Sequence, residues 1–358
     1  MSLGEETHMK AAFPRNLFRR LPAPLVDWFR KEGRPLPWRI HPDPYRVWLS
    51  EIMLQQTRIE TVRAYYDRFL REIPDIPSLA AAEEERVLKL WEGLGYYSRA
   101  RNLHAAAKRI MEHHRGRFPD TIEEIRALPG IGDYTAGAIA SIAFGLPEPA
   151  VDGNVMRVIA RLAGFEGDIR RSSVRATVAG ELRKVYPADD ASAFTQALME
   201  LGELLCLPNG TPLCARCPCA GFCEAAKRPD PGSIPARQPK KARPVFRKTV
   251  LILKHGSRIA LRKRPPEGLL AGLWEFPSVE GWRKKKEVSA LLNGLPVRKG
   301  PSARHVFSHV EWDMISWTAD CPEECGNFVW FESDELPAVP SAFRAFRPEA
   351  KKKRQQKR

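Results

Sequence analysis

The chain has 358 residues and a formal net charge of +15. This length suggests about two domains, each able to bury a core, and the charge favours a polyanionic partner. Lys and Arg are spread along the chain, which favours a nucleic-acid-binding surface over a basic tail. No apolar run approaches the length of a membrane span and no signal peptide is visible. We therefore expect a cytoplasmic, nucleoid-associated monomer without a membrane partner.

The N-terminal quarter of the chain is predicted to be helical after a disordered leader at residues 1–21. A first helix is predicted over residues 23–33 and a longer one from Val47 to Leu70, where apolar residues recur at helical spacing. Gln55-Gln56-Thr57 interrupts this apolar stripe. Its amide side chains could hydrogen-bond base edges or fill a gap in a base stack, whereas the simpler interpretation is a kinked helix end.

Glu51 is a candidate proton donor in the first turn of the longer predicted helix. A carboxylate in that turn would also interact favourably with the helix dipole. Its neighbours Trp48, Leu49, Ile52 and Leu54 are apolar. Burial among them would raise the pKa of Glu51, and a carboxylic acid that stays protonated near neutral pH can donate a proton.

Two further helices, predicted over residues 83–92 and 99–114, are joined by Gly-Leu-Gly-Tyr-Tyr-Ser. Such a sequence usually forms only a turn. Between basic helices, however, an exposed Leu94 or Tyr96 could wedge between base pairs. Three basic side chains on the next helix could contact phosphates or form a solvated face: Arg99, Arg101 and His104.

Residues 128–137, Leu-Pro-Gly-Ile-Gly-Asp-Tyr-Thr-Ala-Gly, lie between a short predicted helix and a small apolar helix predicted over residues 134–144. Gly130 and Gly132 permit positive φ and close approach of another backbone. A helix–turn–helix of this kind directs backbone N–H groups outward, where they could bind a phosphate. On the pattern alone, an ordinary connection between two helices is favoured.

Asp152 precedes a helix predicted from Asn154 to Leu162, where an aspartate is a good N-cap. The stretch 128–154, with its hairpin, its loop containing Gly and Pro, and this aspartate, resembles the helix-hairpin-helix DNA glycosylases. The resemblance implies that Asp152 is the essential catalytic carboxylate, a role compatible with capping the helix.

Residues 49–57, Leu-Ser-Glu-Ile-Met-Leu-Gln-Gln-Thr, are close to the signature of the MutY family of adenine-specific DNA glycosylases. The resemblance covers residues 22–345. It implies an all-α helix-hairpin-helix glycosylase domain at residues 22–226, followed by an α+β domain. In the implied mechanism, Glu51 protonates adenine at N7 and Asp152 stabilises the sugar cation, while Tyr134 and Asn154 orient these groups and the attacking water.

The same resemblance implies that the partner is double-stranded DNA with adenine opposite 8-oxoguanine or guanine. Several residues match the family's DNA-contact or lesion-contact positions: Arg39, Gln56, Thr57, Leu94, Tyr96, Gly130, Gly132, Phe307, Ser308 and His309.

Helices predicted over residues 172–186 and 190–205 complete the helical domain, and the cysteines follow. Five of the seven lie between residues 206 and 223, which in a chain without an export signal argues for metal or cluster ligation. Such dense thiolates suit a [4Fe–4S] cluster better than zinc. By resemblance, the ligands are Cys206, Cys214, Cys217 and Cys223, although the family has six residues in the first interval where this chain has seven. Cys219 is an extra thiol.

Residues 227–246 form a predicted basic, Pro-rich linker. Beyond it, β-branched and aromatic runs predict an α+β domain over residues 247–345, and residues 346–358 a basic tail. Residues 268–277 resemble the Nudix-like C-terminal domain of the family. Where a Nudix hydrolase has carboxylates for Mg²⁺, residues 283–286 are Arg-Lys-Lys-Lys, so we expect binding without hydrolysis.

Phe307-Ser308-His309 alone would be an ordinary loop at the end of a strand, but in the family this loop reaches the damaged guanine. Cys321 and Cys325 are expected to be thiols in a surface loop. Two other classes of function are alternatives to an adenine-specific glycosylase. An endonuclease III-like enzyme would have a lysine in place of Tyr134 and would end soon after Cys223, and a catalytically silent DNA-binding protein would need neither Glu51 nor Asp152.

Overall fold

The structure, a computed structural model, describes residues 12–40, 42–236, 242–324 and 326–348. The chain divides into two compact units. The first comprises the residues up to Ala81 together with Asn102–Pro239, and the second comprises Ala82–Arg101 together with the chain from Lys240 onward. The second unit therefore includes a segment that the sequence assigned to the helical domain.

The first unit is helical. Its helices are α1 (Arg15–Arg19), α2 (Pro22–Glu32), α3 (Pro37–Ile40), α4 (Pro44–Leu54), α5 (Ile59–Glu72), α6 (Ile76–Ala81), the greater part of α8 (Ser98–His114), α9 (Ile122–Arg126), α10 (Asp133–Phe144), α11 (Gly153–Ala163), α12 (Ser172–Arg183) and α13 (Ala191–Leu204). Helix α7 (Glu84–Leu90) and the start of α8 belong to the second unit. None of the helices in the described ranges has the length and apolarity needed to cross a membrane.

The prediction of a single helix from Val47 to Leu70 is wrong, because the structure has two helices there, α4 and α5. Helix α4 begins after Asp43, whose side chain caps the backbone N–H of Arg46 at 3.0 Å. Gln56 has φ of 58°, a left-handed conformation that cannot continue a right-handed helix. Glu51 consequently lies well inside α4 and not in its first turn, so the helix dipole contributes little to its environment.

The expectation of a disordered leader at residues 1–21 is also wrong for the part that the structure describes. Residues 1–11 lie outside the described residues. Helix α1 and the chain beside it bury four large apolar side chains in one core with α11, α12 and α13, namely those of Phe13, Leu17, Phe18 and Leu21. Burial of this much apolar surface favours the folded segment.

The second unit contains a mixed β-sheet. Its strands are β1 (Val245–His255), β2 (Arg258–Lys263), β3 (Trp274–Glu275), β4 (Ser278–Glu280), β5 (Val297–Lys299), β6 (Ala303–Val306), β7 (Glu311–Asp320) and β8 (Val329–Glu332), with α14 (Lys285–Leu291) between β4 and β5. Strands β1 and β7 pair in parallel, with Lys248 opposite Met314, and the other strand pairs are antiparallel. The order β3-β2-β1-β7-β5 places the long strands at the centre.

Both faces of this sheet are covered, because alternate residues of β1 face opposite cores. Val250 and Ile252 pack with Phe343 and Phe346 on one face, whereas Leu251 and Leu253 pack with α14 on the other. Phe346, assigned to the basic tail, is buried. The tail from residue 349 lies outside the described residues.

Three further expectations about this part of the chain need correction or restriction. Within the expected linker, Ile234 is buried and its carbonyl accepts from Arg161 at 2.8 Å, so the chain is anchored there; residues 237–241 lie outside the described residues. Val245 and Phe246 already belong to β1. Cys321, expected at the surface, is buried with the α14 core, and Cys325 lies outside the described residues.

Candidate functional site

One cavity in the first unit contains the four candidate catalytic side chains. It has a volume of about 640 Å³ and is bounded by α4, α10, the start of α11 and α13. Glu51, Tyr134, Asp152 and Asn154 all line it, and they come from three parts of the chain that are far apart in sequence. The fold thus brings two carboxyl groups, a phenol and an amide to one place.

Glu51 lies on the buried face of α4 with only 5% of its surface exposed. Burial raises its pKa to about 7, and the negative charge of Asp152 acts in the same direction. The Tyr134 hydroxyl donates to Oε2 of Glu51 at 2.8 Å and partly opposes this rise. A carboxyl group with this pKa is present in both protonation states near neutral pH, as general acid–base chemistry requires.

Asp152 caps α11. Its Oδ1 accepts from the backbone N–H of Val155 at 2.7 Å, and its Oδ2 accepts from Nδ2 of Asn154 at 3.0 Å. Burial raises the pKa of Asp152, whereas hydrogen bonds from the backbone N–H groups of Val155 and Asn154 and the guanidinium of Arg157 oppose the rise. The carboxylate of Asp152 therefore caps α11 and also lines the cavity, so capping is compatible with the expected catalytic role.

Arg39 lies in the cavity wall within a network that sequence reasoning missed. Its Nη2 donates to Glu200 at 2.9 Å, and Arg34 donates to the same carboxylate through Nε at 2.7 Å and Nη2 at 2.9 Å. Glu200 is 1% exposed, and its pKa is lowered to about 2: burial opposes this shift, but the two arginines outweigh burial. The sequence did contain one signal of this network, because Glu200 lies within the apolar pattern of α13.

Gln56 and Thr57 also line this cavity, so the polar interruption in the apolar stripe lies at the site. The break between α4 and α5 exposes Gln56, whereas the preceding Gln55 donates to Oγ1 of Thr135 on α10 at 3.2 Å. The interpretation as a helix end is confirmed, since α4 ends at Leu54, and the amide of Gln56 borders the cavity. Contact of these side chains with bases stays a prediction.

The predicted helix–turn–helix is formed by α9 and α10. Gly130 has φ of 77°, and a Cβ there would lie 2.5 Å from Cβ of Asn102, so no larger residue fits. Gly132 does not adopt positive φ, since its φ is −95°, and there is open space beside it. As the N-cap of α10 without a side-chain cap, Gly132 leaves the first N–H groups of this helix available to an anion.

The second unit contains a separate cavity of about 580 Å³. It is lined by the turn between α7 and α8, including Tyr96, and by the loop of residues 307–309. Tyr96 is 43% exposed, with φ of 48°. Leu94, expected to contact DNA, is only 6% exposed, because its side chain packs inside the protein.

Arg99 and His104 are also buried, so they do not form the solvated or phosphate-binding face that the sequence suggested. Arg99 instead donates to the carbonyls of Leu94 at 3.2 Å and Gly95 at 3.1 Å, and its guanidinium lies 5.6 Å from the Tyr96 ring. These contacts hold the turn that presents Tyr96.

The loop at residues 307–309 has one packed residue and two exposed ones. Phe307 packs edge-on against Trp312 with ring centroids 4.9 Å apart, whereas Ser308 and His309 are exposed. Oγ of Ser308 lies 3.3 Å from Nδ1 of His309, and Arg243 donates to the carbonyl of Ser308 at 3.1 Å. Ser308 therefore presents a positioned hydroxyl at the edge of the second cavity.

The four cysteines assigned as ligands, Cys206, Cys214, Cys217 and Cys223, line one small cavity. Within the described residues, no three His, Cys, Asp or Glu side chains surround one point as single-ion ligands do. A four-iron cluster takes four cysteine thiolates, and four cysteines line this cavity. Burial raises the pKa of Cys206, and Nη1 of Arg161, which lies 3.2 Å from its Sγ, opposes this rise. The donor set fits a cluster.

Cys219 differs from these four residues. It is fully buried and does not line the small cavity. A hydrogen bond from its thiol lowers the pKa of Cys217, and the same contact raises the pKa of Cys219. Its position supports leaving Cys219 out of the ligand set.

A helical unit with a hairpin between α9 and α10 and a cavity that holds the carboxyl groups of Glu51 and Asp152 is the architecture of a helix-hairpin-helix base-excision repair protein. Residues 49–184 match the family model of the HhH-GPD superfamily base excision DNA repair proteins, and residues 249–346 match the NUDIX domain model. A solved thymine-DNA glycosylase has a TM-score of 0.53 and 26% identity, covering 60% of this chain and 96% of its own. The predicted fold class is confirmed.

Relatives that are similar over most of this chain identify the family. The human adenine DNA glycosylase is 36% identical over 353 residues, covering 80% of this chain and 64% of the human protein. The adenine DNA glycosylase of Buchnera aphidicola is 34% identical over 272 residues, covering 74% of this chain and 77% of its own length. This chain belongs to the adenine DNA glycosylase family, whose members are hydrolases of the N-glycosidic bond.

Proposed function

We propose that this protein removes adenine mispaired with 8-oxoguanine, or with guanine, from double-stranded DNA and leaves an abasic site. The observation that carries the proposal is the cavity shared by Glu51 and Asp152, in which the pKa of Glu51 is about 7. An enzyme that breaks a glycosidic bond needs one carboxyl group that gives a proton and another that stays ionised.

The chemistry follows from these two environments. Adenine is a poor leaving group until a ring nitrogen is protonated, and Glu51 supplies that proton at N7. Departure of the base leaves an oxocarbenium-like sugar, which the Asp152 carboxylate stabilises electrostatically. Tyr134 holds Glu51 through its 2.8 Å hydrogen bond, and Asn154 holds Asp152 at 3.0 Å.

The target adenine has to leave the base stack to reach Glu51, which is 5% exposed. A cavity of about 640 Å³ is large enough for a purine and part of its sugar. Tyr96 is the exposed aromatic residue that would enter the duplex, and the first N–H groups of α10 would bind a phosphate. Gln56 and Thr57 would contact the opposite base.

Recognition of 8-oxoguanine is assigned to the loop at residues 307–309. The lesion differs from guanine by an oxygen at C8 and a hydrogen at N7, one new acceptor and one new donor. The exposed hydroxyl of Ser308 can both donate and accept, and it borders the same cavity as Tyr96. The second unit then supplies discrimination and not chemistry.

A [4Fe–4S] cluster is proposed on Cys206, Cys214, Cys217 and Cys223. When bound, the cluster would tie together the loop that contains them, and the structure assigns it no step in catalysis. Arg216, which is exposed within that loop, would be presented to a DNA phosphate. We further propose that the protein acts as a monomer in the cytoplasm, associated with the nucleoid.

The main alternative is an endonuclease III-like activity that also cleaves the strand. That chemistry uses a lysine to form a Schiff base with the sugar, and Tyr134, which cannot do so, occupies the corresponding position. A catalytically silent DNA-binding protein is the other alternative. It would need no buried carboxyl group with a pKa of about 7, a costly feature in a protein core.

Single-turnover base release decides among these functions. Duplexes with adenine opposite 8-oxoguanine, guanine and thymine are incubated with excess enzyme, and strand breaks are scored with and without alkali. Release opposite 8-oxoguanine and guanine but not thymine, seen only after alkali, is expected. Glu51→Gln should reduce release by at least about 10²-fold while retaining DNA binding. Glu181→Gln, which alters a buried carboxylate outside the cavity, should not reduce the release of adenine. Normal release by Glu51→Gln would contradict the mechanism.

A further inference from the structure

The carboxylate of Glu203, on α13, also lines the catalytic cavity. Oε1 of Glu203 accepts from Nδ2 of Asn154 at 3.2 Å, and Oδ2 of Asp152 accepts from the same nitrogen at 3.0 Å. The two hydrogens of one side-chain amide are therefore divided between two carboxylates. Glu203 is exposed at the mouth of the cavity, whereas Glu51 lies at its base.

The other end of the same amide is also fixed. Nη2 of Arg157 donates to Oδ1 of Asn154 at 2.9 Å. If the amide turned over, its oxygen would face two carboxylates and its NH₂ group would face a guanidinium, with every contact repulsive. The neighbours of Asn154 thus specify a single orientation, in which an N–H is directed at Asp152.

The backbone of α13 is packed closely enough to keep Glu203 in place. A Cβ on Gly202 would lie 2.7 Å from Cβ of Asn154, so the helix approaches Asn154 where only glycine fits. The carbonyl of Gly202 accepts from Nη2 of Arg157 at 2.8 Å. The position of Glu203 is therefore set by a rigid helix and not by a mobile loop.

We propose that Glu203 is a positioning residue for base release, which holds the Asn154 amide in the orientation that donates a hydrogen bond to Asp152. This inference rests on the proposed role of Asp152. Without Glu203, one N–H of Asn154 loses its acceptor, and the amide gains freedom to rotate toward solvent at the mouth of the cavity. Asp152 then spends less time with its carboxylate aligned toward the sugar.

Two substitutions separate positioning from charge. Glu203→Gln removes the negative charge but keeps an oxygen that accepts from Asn154, whereas Glu203→Ala removes both. We expect Glu203→Gln to release adenine within about threefold of the wild-type rate, and Glu203→Ala to be slower by roughly tenfold or more at saturating enzyme. DNA affinity should not weaken in either variant, because Glu203 presents no positive charge to a phosphate.

The double variant tests whether Glu203 acts through Asn154. In an Asn154→Ala background, Glu203→Ala should cause no further loss of rate, because the group that it positions is absent. Equal losses in Glu203→Gln and Glu203→Ala, or additive losses in the double variant, would overturn the proposal. So would a wild-type rate in Glu203→Ala.

A spectroscopic measurement keeps this proposal separate from the proposed function. The side-chain NH₂ resonances of Asn154, identified by their loss in Asn154→Ala, should exchange slowly in the wild-type protein and in Glu203→Gln. Glu203→Ala should accelerate their rotation or exchange with water. Unchanged NH₂ signals in Glu203→Ala would refute the positioning role. Absence of adenine release by the wild-type enzyme would refute the proposed function.

Discussion

Replacing Glu51 by Gln should stabilise the protein, and the gain should grow with pH. The pKa of Glu51 rises from 4.5 to about 7 on folding, chiefly through burial and further through the charge of Asp152. The hydrogen bond from Tyr134 opposes these two effects without overcoming them. Above neutral pH the folded protein therefore contains an ionised carboxylate in a site that favours the neutral acid.

The magnitude follows from the two pKa values. Each pKa unit corresponds to about 1.4 kcal/mol, so a rise from 4.5 to about 7 costs about 3 kcal/mol of stability once Glu51 is fully ionised. Because the pKa of the folded state is the higher one, the stability is fully present below pH 4.5. It falls as the pH rises toward 7 and is lost above 7. Gln cannot ionise, so its contribution does not change with pH.

Urea unfolding, followed by far-ultraviolet circular dichroism of the helices, measures the difference between the two proteins. Wild type and Glu51→Gln are compared at intervals from pH 4.5 to 8.5. The contributions of all other titrating groups to the free energy of unfolding then cancel in the difference between the two proteins. The free energy of unfolding of the variant should gain about 3 kcal/mol on the wild type across this range. A difference that does not vary with pH would mean that the pKa of Glu51 is not raised, and would refute the argument for its acidity.

Three further outcomes are expected. Borohydride should trap little enzyme on DNA compared with the extent of base release, because Tyr134 cannot form a Schiff base; trapping at comparable levels would restore the strand-cleaving alternative. Cys219→Ser should retain the visible absorbance of an iron–sulfur cluster, whereas Cys217→Ser should lose it or fail to fold; the reverse pattern would mean that the ligands are misassigned. Replacing residues 307–309 with alanine should reduce the preference for 8-oxoguanine over guanine by about one to two decades, whereas equal loss of both activities would make the loop a scaffold.

Much of the fold could be predicted because its signals are local. Helix α11 has an aspartate at its N-cap and Gly164 in a left-handed conformation after its end, and both are readable from the sequence. The long strands β1 and β7 contain β-branched and aromatic residues, which favour strands locally. The break between α4 and α5 was predicted only as one of two interpretations of Gln55-Gln56-Thr57, because the sequence does not show that Gln56 adopts positive φ.

The residues of the candidate site also differ in how well the sequence predicts their roles and surroundings. Glu51 and Asp152 were found through short motifs, and the apolar neighbours of Glu51 predicted the direction of its pKa correctly. The partners of Glu200, by contrast, lie more than 160 residues away along the chain. Leu94 and Tyr96 are two residues apart in one turn, and only the backbone conformation determines that Tyr96 is exposed and Leu94 is not. Such pairings depend on tertiary packing.

The balance of forces on Glu51 also explains why the site combines a buried acid with a hydrogen-bond donor. Burial alone would push the pKa further above neutral, so that the acid would hold its proton too strongly to give it to adenine. The hydroxyl of Tyr134 stabilises the ionised form and brings the pKa back to about 7. In the proposed mechanism, the carboxyl at that pKa donates a proton to the leaving base and afterwards accepts one from the attacking water. The stability lost by burying Glu51 is therefore a direct consequence of the property that suits it to hydrolysis.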